Sequence, residues 1–130
     1  MDLRNASLQY LTNHSSRVRA FPRDGGFQIS TIKKGIVFVW ATWSGAAQLA
    51  LRALNNGLAR LRDLAELEIL IADNDDEMTQ QFLLSINETP SGEGETFWIN
   101  EGRIQARLAK YNEKDLLAVQ DLTERLLFSP

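Results

Sequence analysis

Two residues of this sequence could take part in nucleophilic catalysis, a serine as the nucleophile and a histidine as its general base. Ser44 lies between an apolar strand and a long helix, and His14, the one histidine of the chain, lies 30 residues upstream in a polar stretch. A serine nucleophile needs a general base within hydrogen-bond reach, whereas a serine at the start of a helix can serve as an N-cap without such a base. We therefore expect Ser44 to cap the helix and His14 to be a solvated surface residue.

The acidic residues and the cysteine count offer no other catalytic or cofactor site. Four carboxylates follow the second apolar strand, at Asp73, Asp75, Asp76 and Glu77. They alternate as in a calcium loop, but the glycine of such a loop is missing, and its twelfth position falls on Leu84 instead of a glutamate. We expect a solvated helix start there, and no metal or cofactor. The chain contains no cysteine, which excludes disulfides, thiolate chemistry and iron–sulfur clusters.

The size and charge of the chain limit its class and its partners. A chain of 130 residues with 44% hydrophobic and 24% charged residues is typical of one folded domain. The net charge of -3 provides no field that attracts phosphates, so nucleic acid is not an expected partner. The longest apolar run, residues 35–41, is too short for a membrane span, and residues 1–30 lack the apolar segment of a signal peptide. We expect one soluble, cytoplasmic domain over residues 1–130, without membrane attachment.

Hydrophobic periodicity predicts the elements that position Ser44. Residues 36–40 are a continuous β-branched and aromatic run, which is typical of a strand buried on both faces. After Ser44, apolar residues recur every three or four positions and predict a long amphipathic helix. The residues of this stripe are Ala47, Leu51, Leu54, Leu58 and Leu61. Residues 67–72 form the next predicted strand, and the helix that follows the four carboxylates is expected to end near Asn87.

The second half of the chain predicts a hairpin and a final helix. Residues 87–95 have the composition of a loop, and the stretches at 96–99 and 103–109 flank a glycine-containing turn as in an antiparallel hairpin. Asn112, with Asp115 three positions later, predicts a capping box before the last helix. A right-handed crossover makes the two central strands parallel. We therefore predict an α/β fold, a mixed sheet with central parallel strands, a C-terminal antiparallel hairpin and helices on both faces.

The N-terminal third of the chain gives weaker patterns. Residues 1–17 form an N-terminal extension, with a short helix expected to begin at Asn5. Residues 18–21 are a short strand candidate, and a turn is expected at residues 24–26. Residues 27–34 fit neither the strand period nor the helix period for long, so we expect only an ordered, partly buried segment there.

The residues between the first buried strand and the long helix resemble the signature of the thioredoxin family. That signature is an apolar strand ending in Trp-Ala-x-Trp-Cys-Gly-Pro-Cys and running into a long helix, and residues 39–47 are Val-Trp-Ala-Thr-Trp-Ser-Gly-Ala-Ala. The two cysteines of the motif fall on Ser44 and Ala47, and its proline falls on Ala46. The matching positions are Trp40, Ala41, Trp43 and Gly45.

The resemblance implies a thioredoxin-like fold over residues 18–128 and a domain without redox activity. The family exchanges dithiol and disulfide through a thiolate at the helix start and a second thiol, and the two positions here carry a hydroxyl and a methyl group. The buried carboxylate of the family corresponds to Phe38, and its lysine partner falls near Ile69 or Ile71. We expect a natural domain, because an engineered change that removed the cysteines alone would have left the carboxylate in place. Because both the thiols and the carboxylate are missing, we do not expect the domain to be an enzyme.

The family also has a cis-proline before the hairpin strand, packed against the cysteine motif. Counted back from the glycine of the hairpin turn, this position is Gly94, whereas the nearest proline is Pro90. Two alternatives remain open. Either an insertion in the loop lets Pro90 keep the role, or the role is lost.

The resemblance places Trp43 at the surface, beside small residues and the loop at 89–95. An exposed amphipathic ring suits a peptide-binding platform, although the same ring could merely cover the edge of the core. The principal expectation is a domain that binds another protein in a chaperone-like, assembly or inhibitory role. The expected partner-binding residues are Trp43, Ser44, Gly45, Ala46 and Pro90.

Two other functions are compatible with the same sequence. A structural subunit would make its contacts through its helix faces, and the motif loop would then be a vestige. An enzyme that works through a thiol cofactor such as glutathione would use Ser44 to stabilise the thiolate of the cofactor. Relatives of that kind carry an additional helical domain, for which 130 residues leave no room.

Overall fold

A five-stranded mixed sheet carries the other elements of the molecule. The computed structural model describes residues 3–12, 14–22, 28–64 and 66–130. The strands are β1 (Val18–Ala20), β2 (Lys34–Trp40), β3 (Glu68–Asp73), β4 (Thr96–Asn100) and β5 (Arg103–Leu108). They lie in the order β1-β3-β2-β4-β5; β1 and β2 run parallel to β3, β4 pairs antiparallel with β2, and β5 pairs antiparallel with β4. This order confirms the predicted mixed sheet with its C-terminal hairpin.

Helices cover both faces of this sheet, as predicted. They are α1 (Leu3–Ser7), α2 (Gly45–Ala59), α3 (Glu77–Ser85) and α4 (Leu116–Leu127). One hydrophobic cluster joins α1, α2 and α4 to one face of the sheet, and a second cluster joins α3 to the other face. Short 3₁₀ turns lie at Ser15–Arg17, Ile29–Thr31 and Glu113–Asp115. None of the described helices has the length and apolar character that crossing a membrane requires.

The central strand β2 is buried along almost its whole length. Six of its seven residues are buried, and the side chains of residues 36–40 alternate between the two clusters. Phe38 and Trp40 belong to the cluster of α2 and α4, whereas Val37 and Val39 belong to that of α3. A strand covered on both faces has no position that favours a polar side chain, which explains the continuous apolar run in the sequence.

Side chains close the ends of the two long helices. The Ser44 Oγ accepts a hydrogen bond from the Ala47 N–H at 3.3 Å, which confirms Ser44 as the N-cap of α2. Asn112 and Asp115 form the predicted capping box, and this box opens the 3₁₀ turn that leads into α4. At the other end of α4, the Lys34 ammonium group donates to carbonyl groups of the last turn and beyond. Positive charge there complements the helix dipole.

Gly57 lies in the interior of α2, where a glycine costs about 1 kcal/mol relative to alanine. The close approach of α4 explains this residue, because a Cβ on Gly57 would lie 2.6 Å from the Val119 Cγ1. Val119 is fully buried in the core cluster shared by the two helices. The packing of α4 against α2 therefore offsets the helix propensity that is lost at this position.

The N-terminal third departs from the predictions in its details. The first helix begins at Leu3, before the predicted start at Asn5. The strand candidate is confirmed as β1, which pairs with β3 at the edge of the sheet. Residues 29–31 form a 3₁₀ turn, and such short turns have no hydrophobic period of their own. The turn expected at residues 24–26 lies outside the described residues.

His14 is buried, and the expectation of a solvated surface residue is wrong. Only 5% of the residue is exposed, and it lies at the base of an open surface pocket together with Leu58 and Leu61. Burial lowers the pKa of His14; a hydrogen bond with the backbone of Asn55 opposes this effect, and the charge of Arg17 adds to it. The polar neighbours of the histidine in sequence indicated solvent, but α2 packs against its ring.

We predict that His14 makes the fold less stable in acid. Because its pKa is lowered in the folded state, the unfolded chain binds the additional proton more readily, and stability rises with pH. Stability is complete above the ordinary pKa of about 6.5 and is lost as the pH falls through the lower folded-state pKa. Urea unfolding at neutral and mildly acidic pH should show a smaller loss in His14→Asn than in the wild type. An equal loss in both proteins would contradict this role.

Candidate functional site

Three loops meet at the carboxyl ends of β2 and β3. Residues 41–44 connect β2 to α2, residues 74–76 connect β3 to α3, and residues 88–95, here termed the β4 entry loop, lead into β4. Backbone hydrogen bonds through Asn74 and Glu95, at 3.0 and 2.8 Å, tie the second and third loops to β2. Because β2 and β3 are parallel neighbours, the loops that follow them lie at the same end of the strands. Ligands bind at this end in open α/β sheets.

Trp43 projects from the first of these loops, with 66% of the residue exposed. Its Nε1 donates a hydrogen bond to the Asp75 Oδ2 at 3.3 Å. The outer edge of its six-membered ring lies against Gly92 of the β4 entry loop, where a Cβ would be 2.5 Å from the Trp43 Cη2. The ring is therefore held by two loops while most of its surface faces solvent.

The other predicted partner-binding residues surround this ring to different extents. Gly45 is exposed, and an added Cβ there would meet nothing within 4 Å. Ser44 and Ala46 are half-buried at the start of α2, and Pro90 is half-buried in the β4 entry loop. The contact with the tryptophan ring comes from Gly92, a residue to which the loop composition assigned no role.

Gly94 occupies the position at which the resemblance expects a cis-proline. Every peptide bond of the described residues is trans, so the alternative in which Pro90 keeps that role is wrong. Gly94 has a φ of +77° and lies against α2, where a Cβ would be 2.8 Å from the Ala50 Cβ and 3.3 Å from the Ala47 Cα. Glycine is required here, because the positive φ is strained for residues that have a side chain and because the space beside α2 is too small for a Cβ.

Glu95 is a buried carboxylate that the sequence patterns did not indicate. It is fully buried at the end of the β4 entry loop. Its Oε1 accepts from the Ser91 hydroxyl at 2.9 Å and from the Glu93 N–H at 3.0 Å, and its Oε2 accepts from the Ser91 N–H at 3.2 Å. The carboxylate therefore holds the loop from inside. A run of serine, glycine and glutamate is typical of a solvated loop, and no spacing rule distinguishes the one acid that turns inward.

A second set of buried hydrogen bonds supports Gly94 from the sheet. The Thr96 hydroxyl donates to the Gly94 carbonyl at 2.9 Å, which leaves the Tyr111 hydroxyl as the donor to Thr96 at 2.8 Å. Burial raises the pKa of Tyr111 well above its usual range. The tyrosine therefore stays protonated and keeps its hydrogen for this contact.

Hydrocarbon lies beneath the start of α2. Phe38, at the position where the resemblance places a carboxylate, is fully buried and pairs across the β2–β3 register with Ile71, one of the two residues near which the lysine partner is expected. His14 is hydrogen-bonded to Asn55, which is roughly 15 Å along α2 from its start at a rise of 1.5 Å per residue. The one histidine of the chain is therefore too far from Ser44 to act as its general base.

The acidic residues after β3 form the entry to α3. The Asp73 Oδ1 accepts from the Asp75 N–H at 3.0 Å, Asp76 occupies the N-cap position, and the helix begins at Glu77. Carboxylates at a helix start are favoured by the helix dipole, as predicted. Within the part of the chain that the structure describes, no three or more side chains of metal-ligating types are grouped to hold a metal ion.

A comparison with solved structures finds a similar fold. The chain is similar to desulfothioredoxin from Desulfovibrio vulgaris Hildenborough, in the solution structure of its reduced form, with a TM-score of 0.56 and 15% identity. The similarity covers 72% of this chain and 84% of that chain. The fold is thioredoxin-like. No protein-family profile matches the chain, and no curated protein sequence matches it.

The thioredoxin-like fold confirms the architecture that the resemblance implied. Within it, Trp43 and the start of α2 lie at the end of the central strand, which is where the resemblance places the redox motif. The two cysteine positions of that motif are Ser44, which caps the helix, and Ala47, which is buried beneath Gly94. The site therefore keeps the motif's place in the thioredoxin-like fold but none of its sulfur.

We predict that Gly94→Ala destabilises the thioredoxin-like domain and that Gly45→Ala does not. A methyl group at Gly94 would overlap Ala50 and would require a positive φ, at a cost of about 1–3 kcal/mol. Gly45 has open space around it and lies in the first turn of α2, where alanine is tolerated or favoured. Urea unfolding of both variants measures the difference, and equal stabilities would show that Gly94 does not pack as described.

We predict that Glu95→Gln loosens the β4 entry loop of the thioredoxin-like domain. The amide group replaces an acceptor oxygen with a donor, so a partly buried donor of Ser91 or Glu93 loses its acceptor beside the buried side chain of residue 95, at a cost of about 1–3 kcal/mol. Hydrogen exchange of the amides at residues 91–94 should become faster. The matched control is Glu93→Gln. The Glu93 carboxylate makes a long, exposed ion pair with Lys110 at 3.9 Å, and loss of this pair should change stability by less than about 0.5 kcal/mol. Similar effects of the two variants would count against the role of Glu95.

Proposed function

We propose that this domain acts by binding an extended segment of another protein, without redox chemistry, at the surface around Trp43. Besides Trp43, that surface comprises Ser44, Gly45, Ala46 and the β4 entry loop with Pro90. The observation that carries the proposal is the ring itself, which is largely exposed and yet held by Asp75 and Gly92. Exposed, positioned aromatic side chains are typical of binding hot spots.

The chemistry of the site supports a role without thiol exchange. Exchange needs a thiolate that attacks and a second thiol that resolves the mixed disulfide, and the chain contains no cysteine. The residue beneath the helix start is Phe38, so no buried acid at that position can move a proton. Hydrocarbon is the more stable choice there, because burial of an unpaired carboxylate costs several kcal/mol.

Burial of the Trp43 ring against a partner would supply a large part of the binding energy. A tryptophan buries roughly 150–250 Å² in total, so covering its exposed two thirds contributes about 2–4 kcal/mol at about 25 cal/mol per Å². The ring is already positioned by the two loops, which lowers the entropy lost on binding. Gly45 is exposed and has no side chain, so the backbone of an extended partner can approach the ring closely on that side.

Exposed leucines favour a second candidate function, a structural subunit that uses its helix faces. Leu84 on α3 is 70% exposed, and Leu117 on α4 is 69% exposed. The two helices cover opposite faces of the sheet. Single exposed leucines are common on protein surfaces, so this candidate has less support than the surface around Trp43.

Replacement of exposed residues one at a time separates the two candidates. The full chain is used as bait in native lysate, and captured proteins are quantified by mass spectrometry. Trp43→Ala should reduce recovery of the partner about tenfold or more, because loss of a hot-spot aromatic costs about 2 kcal/mol or more. Leu84→Ala and Leu117→Ala remove exposed apolar side chains elsewhere and should leave recovery unchanged.

Two further measurements make the result decisive. Thermal unfolding should show that Trp43→Ala remains folded, since its ring covers little of the core. Trp43→Phe keeps an aromatic ring but loses the N–H donor to Asp75 and the ring edge against Gly92, so its recovery of the partner should lie between those of the wild type and Trp43→Ala. Loss of the partner in Leu117→Ala or Leu84→Ala, with full recovery in Trp43→Ala, would instead support the structural subunit.

A further inference from the structure

We infer that the partner segment presents an arginine side chain to Trp43, stacked on the ring and directed toward Asp75. This inference rests on the proposed function and names the chemistry of the partner at that same surface. It follows from the exposed indole ring, from the carboxylate beside it, and from the charges of the two loops that hold it.

Asp75 places a negative charge at one edge of the ring. Its Oδ2 lies 3.3 Å from the Trp43 Nε1, and its Oδ1 accepts from the Asn74 Nδ2 at 3.4 Å. Both of these donors are neutral, so the two contacts position the carboxylate without neutralising it. The residue is exposed to solvent and therefore accessible to the side chain of a partner.

The opposite edge of the ring meets a loop that is also acidic. Gly92 contacts the ring, and the next residue, Glu93, carries a carboxylate whose ion pair with the Lys110 Nζ is 3.9 Å long. The Lys110 side chain is 75% exposed, and exposed pairs of this kind are weak and screened by salt. A cation above the Trp43 ring would therefore meet the carboxylate of Asp75 at one edge and a loop that brings no uncompensated positive charge at the other.

The start of α2 opposes a cation at this place, but its effect is the smaller one. A helix N-terminus corresponds to about half a positive charge, and Ser44 already accepts one of the free N–H groups. Asp75 carries a full negative charge and contacts the indole directly. The faces of the aromatic ring are themselves negative, which adds to the attraction for a cation.

Arginine suits this surface better than lysine. Its planar guanidinium can stack on the indole while its N–H groups point to a carboxylate at the ring edge. The molecule makes a contact of the same type elsewhere, where the Arg52 Cζ lies 5.4 Å from the centre of the Tyr10 ring. Among the residues that the structure describes, no arginine or lysine is stacked on Trp43 in this way.

Nuclear magnetic resonance on the full chain tests the inference directly. The three tryptophans give three indole N–H signals, and the buried Trp40 and Trp98 serve as internal references for Trp43. The probes are two alanine–serine peptides that differ in one central residue, arginine or the uncharged citrulline. The arginine peptide should shift the Trp43 signal saturably, and the citrulline peptide should bind roughly three- to thirty-fold more weakly. Added sodium chloride should weaken only the binding of the arginine peptide.

Two charge variants identify the carboxylate that is responsible. Asp75→Asn keeps an oxygen for the indole N–H and removes the charge, so it should weaken the arginine peptide roughly two- to fivefold without affecting the citrulline peptide. The matched control is Glu101→Gln, which removes one negative charge from the hairpin turn. This turn lies at the end of the strands opposite to Trp43. The variant should change the affinity for neither peptide.

The outcomes distinguish this inference from the proposed function. Equal affinity for the two peptides, or an arginine peptide that leaves the Trp43 signal unmoved, would overturn the arginine contact. The lysate capture with Trp43→Ala and Leu117→Ala tests the binding surface itself and is independent of these peptides. A two- to fivefold smaller arginine preference in Asp75→Asn, together with an unchanged preference in Glu101→Gln, would support the contact.

Discussion

The burial of β2 between two layers of helices is the constraint on which the rest of the structure depends. A backbone with both faces covered must satisfy its N–H and C=O groups within the sheet, and β2 does so with β3 on one side and β4 on the other. This pairing brings the carboxyl ends of two parallel strands and the entry to β4 to one edge. The loops of the candidate site meet there because each of them is joined directly to one of these strand ends.

The same burial sets the chemistry beneath the site. Phe38 under the start of α2 is hydrocarbon at the position where the resemblance places a buried acid, and its burial adds stability. The surface around Trp43 is held from inside by Glu95, whose carboxylate accepts three hydrogen bonds from the β4 entry loop. Fully satisfied buried polar groups rigidify their surroundings. The loop can therefore hold Trp43 in an exposed position that the hydrophobic effect alone would not favour.

Features that depend on near neighbours could be predicted from the sequence. The strand at 36–40, the helix stripe after Ser44 and the capping box at Asn112 are confirmed, because each rests on a short-range period or on a contact within one turn. The mixed sheet followed from the order of these elements and from the handedness of the crossover between parallel strands. The resemblance around Trp43 added the thioredoxin-like fold, which the structure bears out.

The sequence by itself determined the main elements, their order and the absence of cysteine, since these are properties of composition and of periods of a few residues. Only the tertiary structure decided that His14 is buried, that Glu95 turns inward and that Gly94 lies against α2. Each of these depends on a partner surface that is folded over the residue. The sequence around these residues does not indicate the contacts, because packing is set by the whole core and not by local spacing.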